Sequence, residues 1–303
     1  MGQSEPVDRV VAITGAGNGL GRAHALTFAA ARYAVVVNDL GGGRDGSGGS
    51  VGPAQRVADE IIAAGGRATA TTDDISTWDG AKSMIEQAVD TFGGLDVLVN
   101  NAGILRDRML TSMSEAEWDA VIAVHLKGTF CPTRHAAEYW RNRAKSGEAV
   151  DARVINTTSP SGLFGAPGQT NYGSAKSGIA GFTVIAAMEM ARYGVTVNAV
   201  APTALTRLTD DLPVMHEMAE STDMAPEGVS PVVLWLASPA AREVTGRVLA
   251  VIGGTIAVVD GWAYGHEIHS DQRWTVARLD EELPGLLDKA APNADITGHR
   301  PSK

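Results

Sequence analysis

The chain has 303 residues, of which 44% are hydrophobic and 20% are charged, and this composition is that of a folded protein rather than a disordered one. Its formal net charge of −10 lacks the basic footprint of proteins that bind nucleic acid or anionic membranes. The single cysteine, Cys131, excludes an intrachain disulfide. No apolar run approaches the roughly 20 residues that span a bilayer, and no signal peptide is evident. We therefore expect a soluble, cytoplasmic protein with no nucleic-acid or membrane partner.

Short apolar runs alternate with longer helical stretches along the chain. Strands are predicted at residues 10–13, 34–37, 67–72, 95–100, 154–159, 195–197 and 248–252, and helices at 20–32, 53–64, 81–92 and 172–192. Strands that are apolar throughout, rather than alternating, are typical of a parallel sheet with helices on both faces. The pattern therefore predicts one α/β domain over residues 1–260, with a doubly wound, mostly parallel, seven-stranded sheet of the Rossmann type.

Two segments break this regularity. Residues 41–52 include seven glycines and cannot form a stable helix or strand, so this segment is either a flexible connector or a loop at the edge of a cofactor site. Residues 261–303 form a carboxyl-terminal tail with several aromatic residues. We expect the tail to dock partly on the body or on a partner subunit, to include a short helix near 279–287, and to end in a disordered segment from Pro292.

A glycine-rich turn joins the first predicted strand to the first predicted helix. It carries Gly15, Gly19 and Gly21, with Asn18 and Leu20 between them. Glycines at this junction let the backbone approach a pyrophosphate, and the start of the helix adds unpaired N–H groups and a favourable dipole. The position at the first strand-to-helix junction, more than the glycines themselves, predicts a dinucleotide site.

Asp39 follows the second predicted strand and is flanked by Leu40. A carboxylate there can accept hydrogen bonds from the hydroxyls of the adenosine ribose and would repel a 2′-phosphate. Asn18 occupies a loop position where a basic residue would favour a phosphorylated ribose, whereas Arg44 is a nearby cation that could oppose the preference. We therefore predict NAD rather than NADP as the cofactor; the alternative is that Asp39 is a solvated residue at a strand end.

Candidate catalytic residues lie where the long predicted helix begins. Tyr172 and Lys176 are four residues apart, so they share one face of that helix. A free phenol ionises near pH 10 and is a poor base at neutral pH, but an adjacent ammonium group and oxidised nicotinamide would stabilise the phenolate. Ser159 precedes Tyr172 by thirteen residues and ends a predicted strand, where its hydroxyl can bond the substrate oxygen.

This combination resembles the short-chain dehydrogenase/reductase superfamily from about Val7 to Trp262. The resemblance implies that Tyr172 is the acid/base, that Lys176 lowers its pKa and clamps the ribose, and that Ser159 orients the substrate. It also implies further cofactor contacts, by Asn101, Ala102 and Gly103 along the dinucleotide, by Asp74 and Ile75 at the adenine, and by Pro202, Thr203 and Thr206 at the nicotinamide. Thr203 replaces the glycine that usually follows the proline. A homodimer or homotetramer built on the long helix is expected by the same resemblance.

His125 stands where the family has its fourth catalytic residue, an asparagine whose main-chain carbonyl holds a water that links the lysine to solvent. A histidine keeps that carbonyl, so the relay could survive, but it could equally be a helix residue that orients its neighbours without chemistry. His125 is therefore a candidate catalytic residue with two readings.

A closer similarity narrows the substrate. Residues 37–42, 101–108, 124–128 and 168–172 are similar to the (3R)-hydroxyacyl-CoA dehydrogenase domains of peroxisomal multifunctional β-oxidation enzymes, which also carry histidine at position 125. The similarity implies NAD-dependent oxidation of a 3-hydroxyacyl thioester. It also implies that the segment Arg106–Arg108 lies near the mouth of the site, where it could contact CoA or form a salt-bridged turn. Alternatives are the same chemistry on a steroid or terpenoid alcohol, which the apolar residues of segment 203–225 would suit, and a non-catalytic NAD-binding scaffold. His266 and His269 have no third ligand at a recognisable spacing, so we expect no metal.

Overall fold

The computed structural model describes residues 9–206, 217, 219–220 and 222–301. Its strands are β1 (Val10–Thr14), β2 (Ala34–Asn38), β3 (Arg67–Thr71), β4 (Val97–Asn100), β5 (Ala152–Thr157), β6 (Val195–Thr203), β7 (Val248–Ile252) and β8 (Thr255–Val259). They form one sheet in the order β3-β2-β1-β4-β5-β6-β7-β8. Strands β1 to β7 are parallel, so the predicted doubly wound fold is confirmed.

The predicted number of seven strands is wrong, because an eighth strand pairs antiparallel with β7. Gly253 and Gly254 form the two-residue turn between these strands, and Gly253 has φ +52. Two glycines between β-branched runs are a recognised signal for a tight hairpin. The sequence-based prediction ended the sheet with residues 248–252 and assigned no strand after Gly254.

The described helices are α1 (Gly19–Ala30), α2 (Gly52–Ala63), α3 (Trp78–Phe92), α4 (Glu115–Ile122), α5 (Gly128–Lys145), α6 (Pro160–Phe164), α7 (Thr170–Met190), α8 (Ser230–Ala237) and α9 (Val276–Lys289). A π-helical turn, Ala123–Lys127, joins α4 to α5. Among the described residues, no helix is both long and apolar enough to cross a membrane.

The apolar core lies on both faces of the sheet. One cluster packs α1, α2 and α8 on one face through residues such as Phe28, Ile61 and Leu236. The other packs α3, α5 and α7 on the opposite face, where the buried Trp140 also donates from Nε1 to the Leu95 carbonyl at 2.6 Å. Because the strands are parallel and covered on both sides, their carboxyl ends meet at one edge, and the order reverses between β1 and β4 there. Open α/β sheets bind their ligands at such a crevice.

Candidate active site

The glycine-rich turn after β1 is fastened to the end of β4. Thr14 Oγ1 accepts hydrogen bonds from the backbone N–H groups of Asn101 (2.9 Å) and Ala102 (3.1 Å). Asn101 Nδ2 donates to the Thr14 and Gly15 carbonyls at 3.1 and 3.2 Å. Gly15 has φ +64, and a Cβ there would lie 2.7 Å from Ala102 Cα. The two segments that the sequence analysis assigned to the cofactor therefore form one unit, which only glycine at position 15 permits.

The amino terminus of α1 suits the pyrophosphate of a dinucleotide. Asn18 precedes the helix without capping it by a side-chain hydrogen bond, and the first turn carries no acidic residue. Gly19 has φ +50, and a Cβ on Gly21 would collide with the Gly15 carbonyl. Neither a side-chain cap from Asn18 nor an acidic residue in the first turn occupies this helix end, so its dipole and N–H groups can serve an anion.

Asp39 directly follows β2 and faces the glycine-rich turn. Its Oδ2 accepts from the Gly17 N–H at 2.8 Å, and its Oδ1 accepts from the Gly41 N–H at 2.7 Å. A Cβ on Gly17 would lie 2.8 Å from that Oδ2. The carboxylate thus joins the turn to the start of the glycine-rich segment, and its neighbour Leu40 is largely exposed. Both oxygens of the Asp39 carboxylate thus accept backbone hydrogen bonds, unlike those of a carboxylate that only contacts solvent at a strand end.

Ser159, Tyr172 and Lys176 converge at the carboxyl end of β5. Ser159 is buried and caps α6, and its side chain is close enough to the Tyr172 hydroxyl to act against the rise of the phenol pKa. Lys176 is also buried, and its Nζ lies 5.5 Å from the centroid of the Tyr172 ring. Lys176 Nζ donates to the Thr157 carbonyl at 2.6 Å. The prediction that Tyr172 and Lys176 share a face at the start of the long helix holds in this geometry.

Burial dominates the electrostatics of this cluster. It raises the pKa of Tyr172 to about 12, against the opposing effect of the Ser159 hydrogen bond, and the Asp107 carboxylate adds to the rise. Burial also lowers the pKa of Lys176 to about 7. The sequence predicts that Lys176 lowers the pKa of Tyr172. Loss of solvation disfavours the charged form of each group, so it raises the pKa of Tyr172 and lowers the pKa of Lys176.

Residues 9–213 match the family described as short chain dehydrogenase. The chain belongs to the short-chain dehydrogenase/reductase family. A crystal structure of a short chain dehydrogenase from Mycobacterium avium is 55% identical, has a TM-score of 0.86, and the match covers 96% of this chain and 99% of that chain. Hydroxyacyl-CoA dehydrogenase ChsB1 of Mycobacterium tuberculosis is 46% identical over 83% of this chain and 79% of its own. The peroxisomal multifunctional enzyme type 2 of Mus musculus is 40% identical over 84% of this chain but only 32% of its own. The protein is therefore an oxidoreductase.

His125 of this dehydrogenase lies in the π-helical turn and is buried beside the catalytic candidates. Its ring meets the Tyr172 ring edge to face, with centroids 5.1 Å apart. Nε2 lies 2.8 Å from the Ile104 carbonyl, and Nδ1 is buried with no hydrogen-bond partner among the described residues. Burial, with the charge of Lys176, lowers the pKa of His125 to about 3, so the ring is neutral at pH 7. The buried, neutral ring supports an orienting role for the His125 side chain, whereas the water relay through its main-chain carbonyl stays a prediction.

The remaining cofactor candidates of the dehydrogenase lie around the same edge. Asp74 Oδ1 accepts from the Ser76 hydroxyl and N–H at 2.7 and 2.9 Å, and Ile75 is buried against Gly128. Pro202 and Thr203 end β6, and Thr206 lies beside Gly19, 3.6 Å from the position of a Cβ there. Much of the apolar segment proposed to cover the substrate, namely Leu208, Leu212, Val214, Met215 and Met218, lies outside the described residues.

The segment Arg106–Arg108 lies close to the catalytic candidates of the dehydrogenase. Arg108 Nε pairs with Glu117 at 3.0 Å, and Asp107 accepts from Gln169 Nε2 at 2.8 Å. Of the two alternatives for this segment, a contact with CoA or a salt-bridged turn, the salt bridge is the one that Arg108 forms. Sequence reasoning missed Asn171, which is fully buried next to Tyr172. Its position in the first turn of the helix gave no hint of this burial, because an asparagine there more often faces solvent.

Proposed function

We propose that this protein is an NAD-dependent dehydrogenase that oxidises a 3-hydroxyacyl-CoA to the 3-oxoacyl-CoA, with Tyr172 as the acid/base. The observation that carries the proposal is the buried contact between Tyr172, Ser159 and Lys176 at the sheet edge where the uncapped α1 also begins. The name of the mycobacterial relative, hydroxyacyl-CoA dehydrogenase, supports this substrate class.

Each side chain has a distinct task in this reaction. The Ser159 hydroxyl donates to the substrate oxygen and holds it beside Tyr172. Tyr172 accepts the proton of the substrate hydroxyl through its phenol oxygen, and Lys176 holds the ribose and supplies positive charge to that oxygen. Oxidised NAD, held by the glycine-rich turn, Asp39 and Lys176, would supply the acceptor for the hydride of the carbinol carbon and a positive charge next to Tyr172. Proton and hydride thus leave the same carbinol group, and a ketone remains.

The proposed preference for NAD depends on Asp39. Its oxygens face the turn that would hold the pyrophosphate, which supports the proposal that they accept from the ribose hydroxyls of the adenosine half. A phosphate at the 2′ position would meet this carboxylate, and like charges repel. The glycine-rich segment 41–52 starts at this carboxylate, which supports its reading as a loop at the cofactor edge.

The experiment that tests the proposal measures reduced cofactor by absorbance. The panel holds (3R)- and (3S)-3-hydroxyacyl-CoA esters of several chain lengths and steroid alcohols, each with NAD and with NADP. We expect turnover of one 3-hydroxyacyl-CoA enantiomer with NAD. Turnover of steroid alcohols alone would refute the substrate, and binding of NAD without turnover of any alcohol would favour a scaffold.

We also propose that the protein forms a homodimer or homotetramer. Helix α7 presents Val184, Ile185 and Met188 to solvent, with exposed fractions of 43%, 54% and 69%. A row of apolar side chains on one helix face is typical of a protein–protein interface. Light scattering coupled to gel filtration gives the mass directly, and a monomer at micromolar concentration would contradict this.

A further inference from the structure

Asn171 is the second residue of α7 and uses its whole side-chain amide. Its Oδ1 accepts from the backbone N–H of Tyr172 at 2.7 Å. Its Nδ2 donates to the Arg106 carbonyl at 2.9 Å and to the Glu117 carbonyl at 3.2 Å. The residue is fully buried. One amide therefore joins three segments: the start of α7, the loop 104–108, and α4.

The loop 104–108 is fastened on its other side to the glycine-rich segment 41–52. Leu105 N–H donates to the Arg44 carbonyl at 3.0 Å, and Arg106 Nε donates to the Asp45 carbonyl at 2.8 Å. Gly46 has φ +84, and a Cβ there would lie 3.1 Å from Ile104 Cδ1. The glycine-rich segment is thus in contact with the loop, and its low side-chain volume permits the close approach.

The glycine-rich segment begins at the carboxylate assigned to the ribose. Asp39 accepts from the Gly41 N–H, and the Ser50 N–H donates to the Leu40 carbonyl at 3.1 Å, which closes the base of the segment. A series of hydrogen bonds, joined by short stretches of backbone, therefore connects the Asp39 carboxylate through Arg44 and Arg106 to the backbone of Tyr172. Asn171 is the member of the series next to the reacting phenol.

We propose that Asn171 is a positioning residue, which sets the place of Tyr172 by holding loop 104–108 against the first turn of α7. The inference rests on the proposed role of Tyr172. The two donor bonds of Nδ2 are the essential ones, because they fix the loop and α4, whereas the acceptor Oδ1 only satisfies an N–H at the start of the helix.

Two substitutions separate these contributions. Asn171→Ala removes all three hydrogen bonds. Asn171→Asp keeps the acceptor for Tyr172 N–H and adds negative charge at a helix start, which is favourable for the helix, but it turns both donors into acceptors that face the Arg106 and Glu117 carbonyls. A pure capping role predicts that the aspartate variant behaves as wild type. The positioning role predicts that both variants lose activity.

The matched control is Asn198→Ala. Asn198 is also a buried asparagine, and it bridges two backbone groups away from the site: its Nδ2 donates to the Val244 carbonyl at 2.7 Å, and its Oδ1 accepts from Arg247 N–H at 3.0 Å. This variant should lose a similar amount of stability without loss of kcat, so it reports what destabilisation alone does.

We expect kcat of both Asn171 variants to fall at least tenfold and the Kd for NAD to change less than threefold. The pH profile of kcat should also shift, because the Tyr172 phenol would no longer lie at the same distance from Ser159 and Lys176. Hydrogen exchange followed by mass spectrometry should show faster exchange in peptides covering 104–108 and 170–174, and no change there in Asn198→Ala. This readout is independent of activity, so it tests Asn171 even if no 3-hydroxyacyl-CoA is turned over. Wild-type kcat and pH profile in Asn171→Asp, or unchanged exchange in 104–108 in Asn171→Ala, would overturn the proposal.

Discussion

The preference for NAD can be tested at Asp39 with a magnitude drawn from its contacts. Replacing Asp39 by Ala removes a charged acceptor from the N–H groups of Gly17 and Gly41, and from the ribose hydroxyls that we assign to it. A hydrogen bond to a charged group contributes about 1.5–3 kcal/mol. Loss of the ribose contact, with some loosening of the two backbone segments, should therefore weaken NAD binding by roughly 2–4 kcal/mol, which is a factor of about 30 to about 900. NADP affinity should stay constant or rise, because a like charge is removed.

The assay is the quenching of tryptophan fluorescence by NAD and by NADP, titrated on the wild type and on Asp39→Ala. Asp45→Ala is the matched control, because it removes the same charge from the adjacent glycine-rich segment, where the Asp45 carboxylate accepts from the N–H and the hydroxyl of Ser47. The control should bind NAD within a factor of two of wild type. Equal binding of NADP and NAD by the wild type, or an unchanged NAD affinity in Asp39→Ala, would refute the role of this carboxylate.

Three further outcomes follow from the geometry of the site. Tyr172→Phe should reduce kcat by roughly 10²- to 10⁴-fold with NAD affinity within threefold, and comparable kcat in a steady-state assay would reject the acid/base role. Gly103→Ala should destabilise the fold by about 1–3 kcal/mol in urea unfolding and should lower kcat. The reason is that the alanine Cβ would collide with the His125 ring, which packs on Tyr172. Full activity of the variant would show that the ring can move. Burial lowers the pKa of His24 to about 4 and of His125 to about 3, so the unfolded chain binds more protons below pH 6.5, and stability should fall as pH decreases from 6.5 towards 4. Urea unfolding at pH 7 and 5 measures this, and His24→Gln should reduce the slope by roughly 1 kcal/mol per pH unit; an unchanged slope would contradict the argument.

A sequence predicts those parts of a fold in which a local requirement, such as a backbone conformation, a close approach or burial, can be met by one kind of residue. Gly15 and Gly21 were recognised because backbone conformation and close approach exclude other side chains there. The parallel strands were recognised because burial on both faces requires uninterrupted apolar runs. The hairpin at Gly253 was missed because its second strand is largely exposed on the sheet edge, where burial gives no pattern.

The role of Asn171 could not be predicted, because it depends on carbonyl groups that are distant along the chain. Arg106 and Glu117 contribute only backbone oxygens to it, and any residue type could supply them. For the same reason the sequence does not predict that the Thr157 carbonyl accepts from Lys176 Nζ, although it does predict Lys176 as a site residue. Side-chain identity predicts which chemistry a site can perform, whereas the backbone acceptors that orient those side chains appear only once the fold brings them together.

The opposite pKa shifts of Tyr172 and Lys176 determine when the proposed base can act. Because the pKa of the phenol is raised to about 12 and that of the amine is lowered to about 7, near neutral pH the phenol keeps its proton and Lys176 carries its positive charge only part of the time. The Ser159 side chain acts against this rise of the phenol pKa, but its effect does not offset the loss of solvation. A further positive charge beside Tyr172 is therefore required before it can take a proton from a substrate near neutral pH. In the proposed mechanism oxidised nicotinamide would carry that charge, so the activity of Tyr172 as a base would depend on cofactor binding.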